Sequence, residues 1–246
     1  MFPFSSSEAK QSKFKVRVRE CGRRFIRLFN FKSSRDVEYD FAYRNVFGNE
    51  SKILDIGGSD SLLPLTLAKR GFKVTVYDFR SYLESHPNLT CVEGDFLENK
   101  LPDNLFDYII LISTIEHIGF GSYFAPRYED GDMKTIAEVK RLLSRNGRAI
   151  LTFPFTGKHR VIEGFERWYD VDRVGNLFQS MYVLKEEHWV PEIKFFGRWV
   201  KWRPGTLIEA QTSIEKYNCQ SVACYVVSPH LKDHPETFFN IYDFNE

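Results

Sequence analysis

A chain of 246 residues, 43% hydrophobic and 27% charged, has the length and composition of a soluble globular protein with one main core. Its longest apolar run, around YIILI at 108–112, is far too short to cross a bilayer, and four scattered cysteines without CxxC or paired-histidine spacing argue against a disulfide framework or a zinc site. The net charge of +1 conceals an asymmetry: residues 1–36 hold ten Lys or Arg against three acids, and the remainder holds 24 against 30.

The N-terminus is basic but has no uninterrupted apolar segment and no small-residue cleavage site, so it does not read as a secretory signal. The expected location is the cytoplasm, with Cys21, Cys91, Cys219 and Cys224 as reduced thiols. Composition divides the chain into a basic extension, 1–36, and a domain, 37–246, whose core spans about 50–155 and whose acceptor-side and C-terminal strands span about 156–230. In the extension, bases alternate with Phe14, Val16, Val18, Phe25, Ile26, Leu28, Phe29 and Phe31. Such an arm lies on anionic lipid, making the protein peripheral to a membrane, or on nucleic-acid phosphate; the other reading is a helix that docks its apolar face on the domain.

From residue 50, short β-branched runs alternate with amphipathic ones, the signature of strand-helix-strand units in a parallel sheet. KILDI is the first strand, and SLLPLTLAKRG a helix with Pro64 in its first turn and Gly71 as its stop. FKVTVYD, LTCVEGD, FDYIILIS and GRAILTFPF are strands two to five. DMKTIAEVKRLLSRNG predicts a crossover helix with Ile136, Val139, Leu142 and Leu143 on one face and Gly147 as its stop. After an aromatic-rich, less periodic stretch, SMYVLKEEHWV and SVACYVVSP are late strands, the second apolar enough to be central.

In open α/β sheets ligands bind beyond the carboxyl ends of the strands. Strand one delivers Asp55, Gly57, Gly58, Ser59 and Asp60 there. Strand two ends at Asp78, followed by Phe79, and a carboxylate at that spacing can accept both hydrogen bonds of a ribose diol. Asp95 and Phe96 suit an adenine's amino group and face, while Ser113, Glu116 and His117 follow strand four, beside whatever reacts. The turn lacks the GxGxxG that holds a pyrophosphate, which disfavours a nicotinamide dinucleotide, and its clustered carboxylates suit a cationic adenosine ligand. S-adenosylmethionine carries a sulfonium and an ammonium.

These stretches resemble the class I S-adenosylmethionine-dependent methyltransferases. ILDIGGSDS is similar to their glycine-rich first motif, with Ser59 and Ser61 where glycines are commonest, VTVYD to the second, CVEGDF to the third, and RLLSRNGRAILTFPF to the helix and strand that follow the fourth. STIEHIG with the helix after it is similar to the small-molecule, type 11-like branch. The resemblance implies a Rossmann-like, doubly wound, mostly parallel seven-stranded sheet with helices on both faces, S-adenosyl-L-methionine as cofactor, and O-methylation of a small molecule, lipid or glycan. His117 is the candidate base, with Glu116 expected to favour its protonated form, and GFGSYFAPRYEDGD the candidate acceptor-side lid. His159, Arg160, Arg167, Trp168 and Tyr169 are candidates for the acceptor pocket, and no metal is expected because the acids of EDGD and the EH pair lack compact ligand spacing. The rival readings are a nucleic-acid methyltransferase that uses the basic arm, although no NPPY-like motif is present, and a non-catalytic cofactor-binding scaffold.

Overall fold

Strands rich in Ile, Leu and Val on both faces need cover on two sides, and the sheet receives it. The computed structural model describes residues 32–48, 50–121, 125–195 and 199–231; the basic segment 1–31, on which the lipid and nucleic-acid expectations rest, lies outside the described residues. Strands β1 (Lys52–Ile56), β2 (Lys73–Asp78), β3 (Leu89–Glu93), β4 (Phe106–Ile112) and β5 (Leu143–Phe155) are parallel. A short hairpin follows, β6 (Arg160–Ile162) against β7 (Glu166–Trp168), and then β8 (Tyr182–Phe195), β9 (Trp199–Gly205) and β10 (Ser221–Ser228). The main sheet runs β3-β2-β1-β4-β5-β10-β8-β9, with β10 inserted antiparallel between β5 and β8. The sheet therefore has eight strands, one more than expected: WVKWRPG returns along the long β8 to form β9 at its edge.

Successive residues of β4 face opposite layers. Ile109 and Leu111 join the apolar cluster under helices α3 (Gly131–Leu142) and α4 (Val171–Leu177), while Tyr108, Ile110 and Ile112 join the cluster under α1 (Ser34–Asn45) and α2 (Leu63–Lys69). Short helices α5 (Leu207–Gln211) and α6 (Ser213–Tyr217) lead into β10. Helix α3 ends at Leu142, four residues before its expected limit. Leu143 stays buried, but as the first residue of β5 it turns to an extended backbone and pairs with Phe106 of β4, so sheet pairing overrides the helical period there.

Strand order reverses between β1 and β4, since the chain builds outward from β1 to β3 and then crosses back. The carboxyl ends of these strands flank a crevice at that switch point, the position such sheets reserve for ligands.

Candidate functional site

An open cleft with an empty volume of about 910 Å³ occupies the switch point. Its lining includes Gly57 and Asp60 from the turn after β1, Asp78 and Phe79 after β2, Asp95 and Phe96 after β3, and Ser113 and His117 after β4. The strand-end expectation thus brings eight of its residues to one cavity. Gly57 has a φ of +75°, and a Cβ there would stand 2.6 Å from Thr114 Cγ2; a Cβ at Gly58 would stand 2.8 Å from Asp55 Cγ. Both positions need glycine, one for its left-handed backbone and both for close approach. The Ser59 amide donates to Asp78 Oδ2 at 3.1 Å, which ties the first turn to the end of β2. Asp78 Oδ1 accepts from the Arg80 amide at 3.0 Å, and Arg80 Nη1 reaches Asp60 at 2.6 Å.

Asp95 does two jobs. Its Oδ1 caps the 3-10 turn Phe96–Glu98 by accepting from the Leu97 amide, and its Oδ2 accepts from Tyr128 Oη at 2.5 Å, which draws the loop before α3 over the cleft. Phe96 is buried and meets the Tyr77 ring edge-on, at 5.7 Å between centroids.

Behind the wall lies a layer of buried carboxyl groups that the sequence only half revealed. Asp55, Glu38 and Glu116 are each at most 2% exposed, and Asp55 Oδ2, Glu38 Oε2 and Glu116 Oε2 have no hydrogen-bond partner among the described residues. Burial, with the Asp78 charge adding to it and Arg35 opposing, pushes the Asp55 carboxyl up to about 8. Burial likewise holds Glu116 well above the usual carboxylate range. A cleft backed by under-satisfied acids suits a ligand that brings positive charge.

Helix α1 supplies residues that the motif reading missed. Arg35 lines the cleft, donates to the Ile112 carbonyl at 2.6 Å and stands 3.6 Å from Glu38 Oε2. Glu38 Oε1 accepts from Thr152 Oγ1 at 3.0 Å and from Ser113 Oγ, bolting the helix to the ends of β4 and β5. Ser113 itself is held at a φ of +42°, in the left-handed region, with its amide donating to the Thr152 carbonyl at 3.0 Å. The signal in the sequence was the capping pair Ser33 and Asp36, whose amide-to-carboxylate bond of 2.8 Å starts this helix.

His117 lies on the 3-10 turn Ile115–His117, with Nδ1 2.7 Å from the Phe165 carbonyl and its ring edge-on to the Phe165 ring at 5.2 Å. A carbonyl only accepts, so Nδ1 carries the proton and, in the neutral ring, the lone pair is on Nε2. Burial first, and the charges of Arg35 and Arg167 after it, lower the imidazole below its ordinary value despite the Phe165 bond and the Glu166 charge. Glu116 does not enter among the causes that move the imidazole: burial holds its own carboxyl well above the usual range, and its Oε1 is 4.0 Å from Nε2. Glu116 is also not among the residues that line the cleft.

The candidates after β5 are held mainly by one another and by the start of α3. Asp132, fully buried at the start of α3, is held by both Arg173 Nη2, at 2.7 Å, and Tyr169 Oη, at 3.3 Å, with Arg167 Nε 3.7 Å away. Arg167 stacks on Phe120 at 4.2 Å and donates to the Ile118 carbonyl at 2.7 Å. His159 turns Nδ1 to the Trp168 carbonyl at 2.9 Å, and Arg160 lies over the Trp168 ring. None of these five is among the residues that line the cleft: Arg167 and Tyr169 are drawn to Asp132, while His159 and Arg160 pack on Trp168. Among the described residues no three metal-ligating side chains stand together.

Comparison with known proteins agrees with this geometry. Residues 54–151 match the family model described as a methyltransferase domain. The fold is shared with an S-adenosylmethionine-dependent methyltransferase of Methanosarcina mazei, at a TM-score of 0.53 and 13% identity over 78% of this chain and 98% of that one. It is shared with a protein of Pyrococcus horikoshii OT3, at 0.51 and 17% over 80% and 90%, and with the [4+2]-cyclase SpnF, at 0.55 and 12% over 79% and 80%. The comparison with curated proteins returns no match. Fold and cleft together define an α/β domain whose open cleft lies at the switch point of the sheet. The match over residues 54–151 likens this part of the chain, which carries the cleft, to a methyltransferase domain.

The family's cofactor is S-adenosylmethionine, and the residues present fit it. The orphaned acids behind the cleft suit its cationic groups, and the Arg35 guanidinium at the wall suits its carboxylate.

Proposed function

We propose that this protein methylates an oxygen of a small-molecule, lipid or glycan acceptor. Asp55, Gly57, Gly58, Ser59 and Asp60 would hold the amino-acid end of the cofactor together with Ser113 and Arg35, while Asp78 and Phe79 would hold its ribose, and Asp95 and Phe96 its adenine. Bound there, the cofactor supplies an activated methyl group on a sulfonium. A hydroxyl nucleophile must shed its proton as it is methylated, and His117 is the group that would receive it. The observation that carries this reading is the His117 geometry: Nδ1 is committed to the Phe165 carbonyl and the ring, held neutral near pH 7, lines the cleft with Nε2 as its basic atom. A base oriented by a second group is the arrangement that proton abstraction needs.

The [4+2]-cyclase among the structural neighbours is a reminder that one fold carries more than one reaction, so the test begins with turnover. An acceptor screen reads S-adenosylhomocysteine release, and His117→Gln is then assayed on the acceptor found. The expected loss in kcat is about 10²–10⁴-fold with cofactor affinity unchanged. In the parent, activity should fall on acidification along a limb below the ordinary histidine value of 6.5, and that limb should vanish in the variant. Near-normal turnover by His117→Gln would leave alignment and water exclusion as the whole of the protein's contribution.

A further inference from the structure

Large apolar side chains that stay in solvent are few among the described residues, and they are not evenly spread. Phe47, Tyr182 and Ile208 stand apart, whereas Val161, Ile162 and Phe165 fall within five residues on the β6–β7 hairpin, 47%, 37% and 48% exposed. Residues 160–165 are all exposed, so the hairpin end projects from the domain. A cluster of this kind on an otherwise polar surface marks a contact site.

Two further features say what it contacts. The first is charge. Lys158 and Arg160 precede the apolar pair, and Arg127 lies beside it; the acid within the tip, Glu163, stands 3.9 Å from Arg127 Nη1 and is offset by it. An apolar tip ringed by cations matches the boundary of an anionic bilayer, where aliphatic and aromatic side chains enter the acyl layer and basic ones meet the headgroups. The second is position. The Phe165 carbonyl and ring hold His117, which lines the cleft, so the hairpin stands directly behind one of the cleft's walls.

We propose that the β6–β7 hairpin tip is an interfacial anchor that seats the mouth of the cleft on an anionic membrane, so that the acceptor is drawn from that surface. Vesicle binding by the hairpin does not rest on the methyl-transfer reading; only the membrane origin of the acceptor does. Val161 and Ile162 would enter the acyl boundary, with Lys158, Arg160 and Arg127 at headgroup level. His117 would then face a headgroup hydroxyl from the cleft wall. The acceptor class this favours is an amphiphile with a polar, hydroxylated head.

The full chain should be sedimented with vesicles of phosphatidylcholine alone and of phosphatidylcholine with phosphatidylserine, at low and high salt. The parent should partition to the anionic vesicles and less so at high salt. Val161→Asp with Ile162→Asp should weaken that partition by about tenfold or more, because two apolar side chains lose their burial. Lys158→Glu with Arg160→Glu should weaken anionic binding at low salt and leave little difference between the two vesicle types. A thermal-shift titration with S-adenosylhomocysteine should be the same for parent and variants, which shows that fold and cofactor cleft are intact. Equal partition of parent and both variants, absence of vesicle binding by the parent, or retention on duplex RNA or DNA with no vesicle binding would each overturn the anchor. Loss of the S-adenosylhomocysteine shift in the parent would instead overturn the cofactor reading and leave the vesicle result to stand by itself.

Discussion

The Asp55 carboxyl carries the clearest shift beside the cleft. Its folded value of about 8 lies above the ordinary 3.8, so between those two values the folded chain keeps a proton that the unfolded chain has released. Stability without ligand therefore falls as pH rises through that window, since the folded state binds more protons than the unfolded one. A ligand that brings an ammonium or sulfonium favours the carboxylate, so it must expel that proton, and it binds more tightly as pH approaches the folded value. The expected outcome is a thermal shift by S-adenosylmethionine that grows between about pH 6 and 8.5. Calorimetry near pH 7 in buffers of different ionisation enthalpy should register proton release on binding. Asp55→Asn should flatten the pH dependence and abolish the release, whereas a pH-independent shift in the parent would separate Asp55 from the ligand. That an acid stands at the carboxyl end of an apolar strand, beside the switch point, was legible in the sequence. Its protonation was not legible, because it arises from Asp78, twenty-three residues away, and from a lid of backbone that only the fold assembles.

At the scale of elements, Glu38 is the buried side chain that fastens helix α1 to two strands of the sheet at once. Glu38, 1% exposed, receives hydrogen bonds from Ser113 Oγ and Thr152 Oγ1, whose residues lie 75 and 114 positions along the chain. Glu38→Ala leaves both hydroxyls with no acceptor in a dry layer, at a cost of about 2 kcal/mol or more. That should lower Tm by roughly 4–8 °C in a protein of this size. It should also weaken S-adenosylhomocysteine binding, because Ser113 and Arg35 lose their common anchor. Glu38→Gln, which keeps an acceptor oxygen, should recover much of the stability; an alanine variant with unchanged Tm and affinity would mean that the two Glu38 bonds do not hold α1 in place. The capping pair made this helix readable, but Glu38 sits between Val37 and Tyr39 with no pattern to betray its distant partners, and the charge boundary at residue 36 falls inside α1. The β6–β7 hairpin escaped for a different reason: strands of three residues carry too few alternations to show a period.

Across the whole molecule, the parallel half of the sheet was legible because each strand is continuous, apolar and followed by a turn. The edge strand β9 was not, since Lys, Arg and Pro within WVKWRPG obscure the alternation. The run SVACYVVS announced a central strand, and every residue of β10 is buried between β5 and β8. That strand joins the two halves, so it should open only when the whole sheet does. Cys224 on β10 reports on this: it is fully buried, and burial holds its thiol well above the ordinary range, so alkylation requires exposure to solvent. Cys91 and Cys219 are partly exposed and serve as internal references, read peptide by peptide in a mass spectrum. The expected outcome is that Cys91 and Cys219 react with iodoacetamide in the native protein while Cys224 reacts at a rate set by global opening. A ligand that binds only the folded state lowers that opening population in proportion to its saturation, so S-adenosylhomocysteine at about 100 times its Kd should slow Cys224 about 100-fold. Alkylation of Cys224 at a rate that the ligand leaves unchanged would mean that β10 detaches while the cleft stays formed, and the two halves of the sheet would then be separate cooperative units.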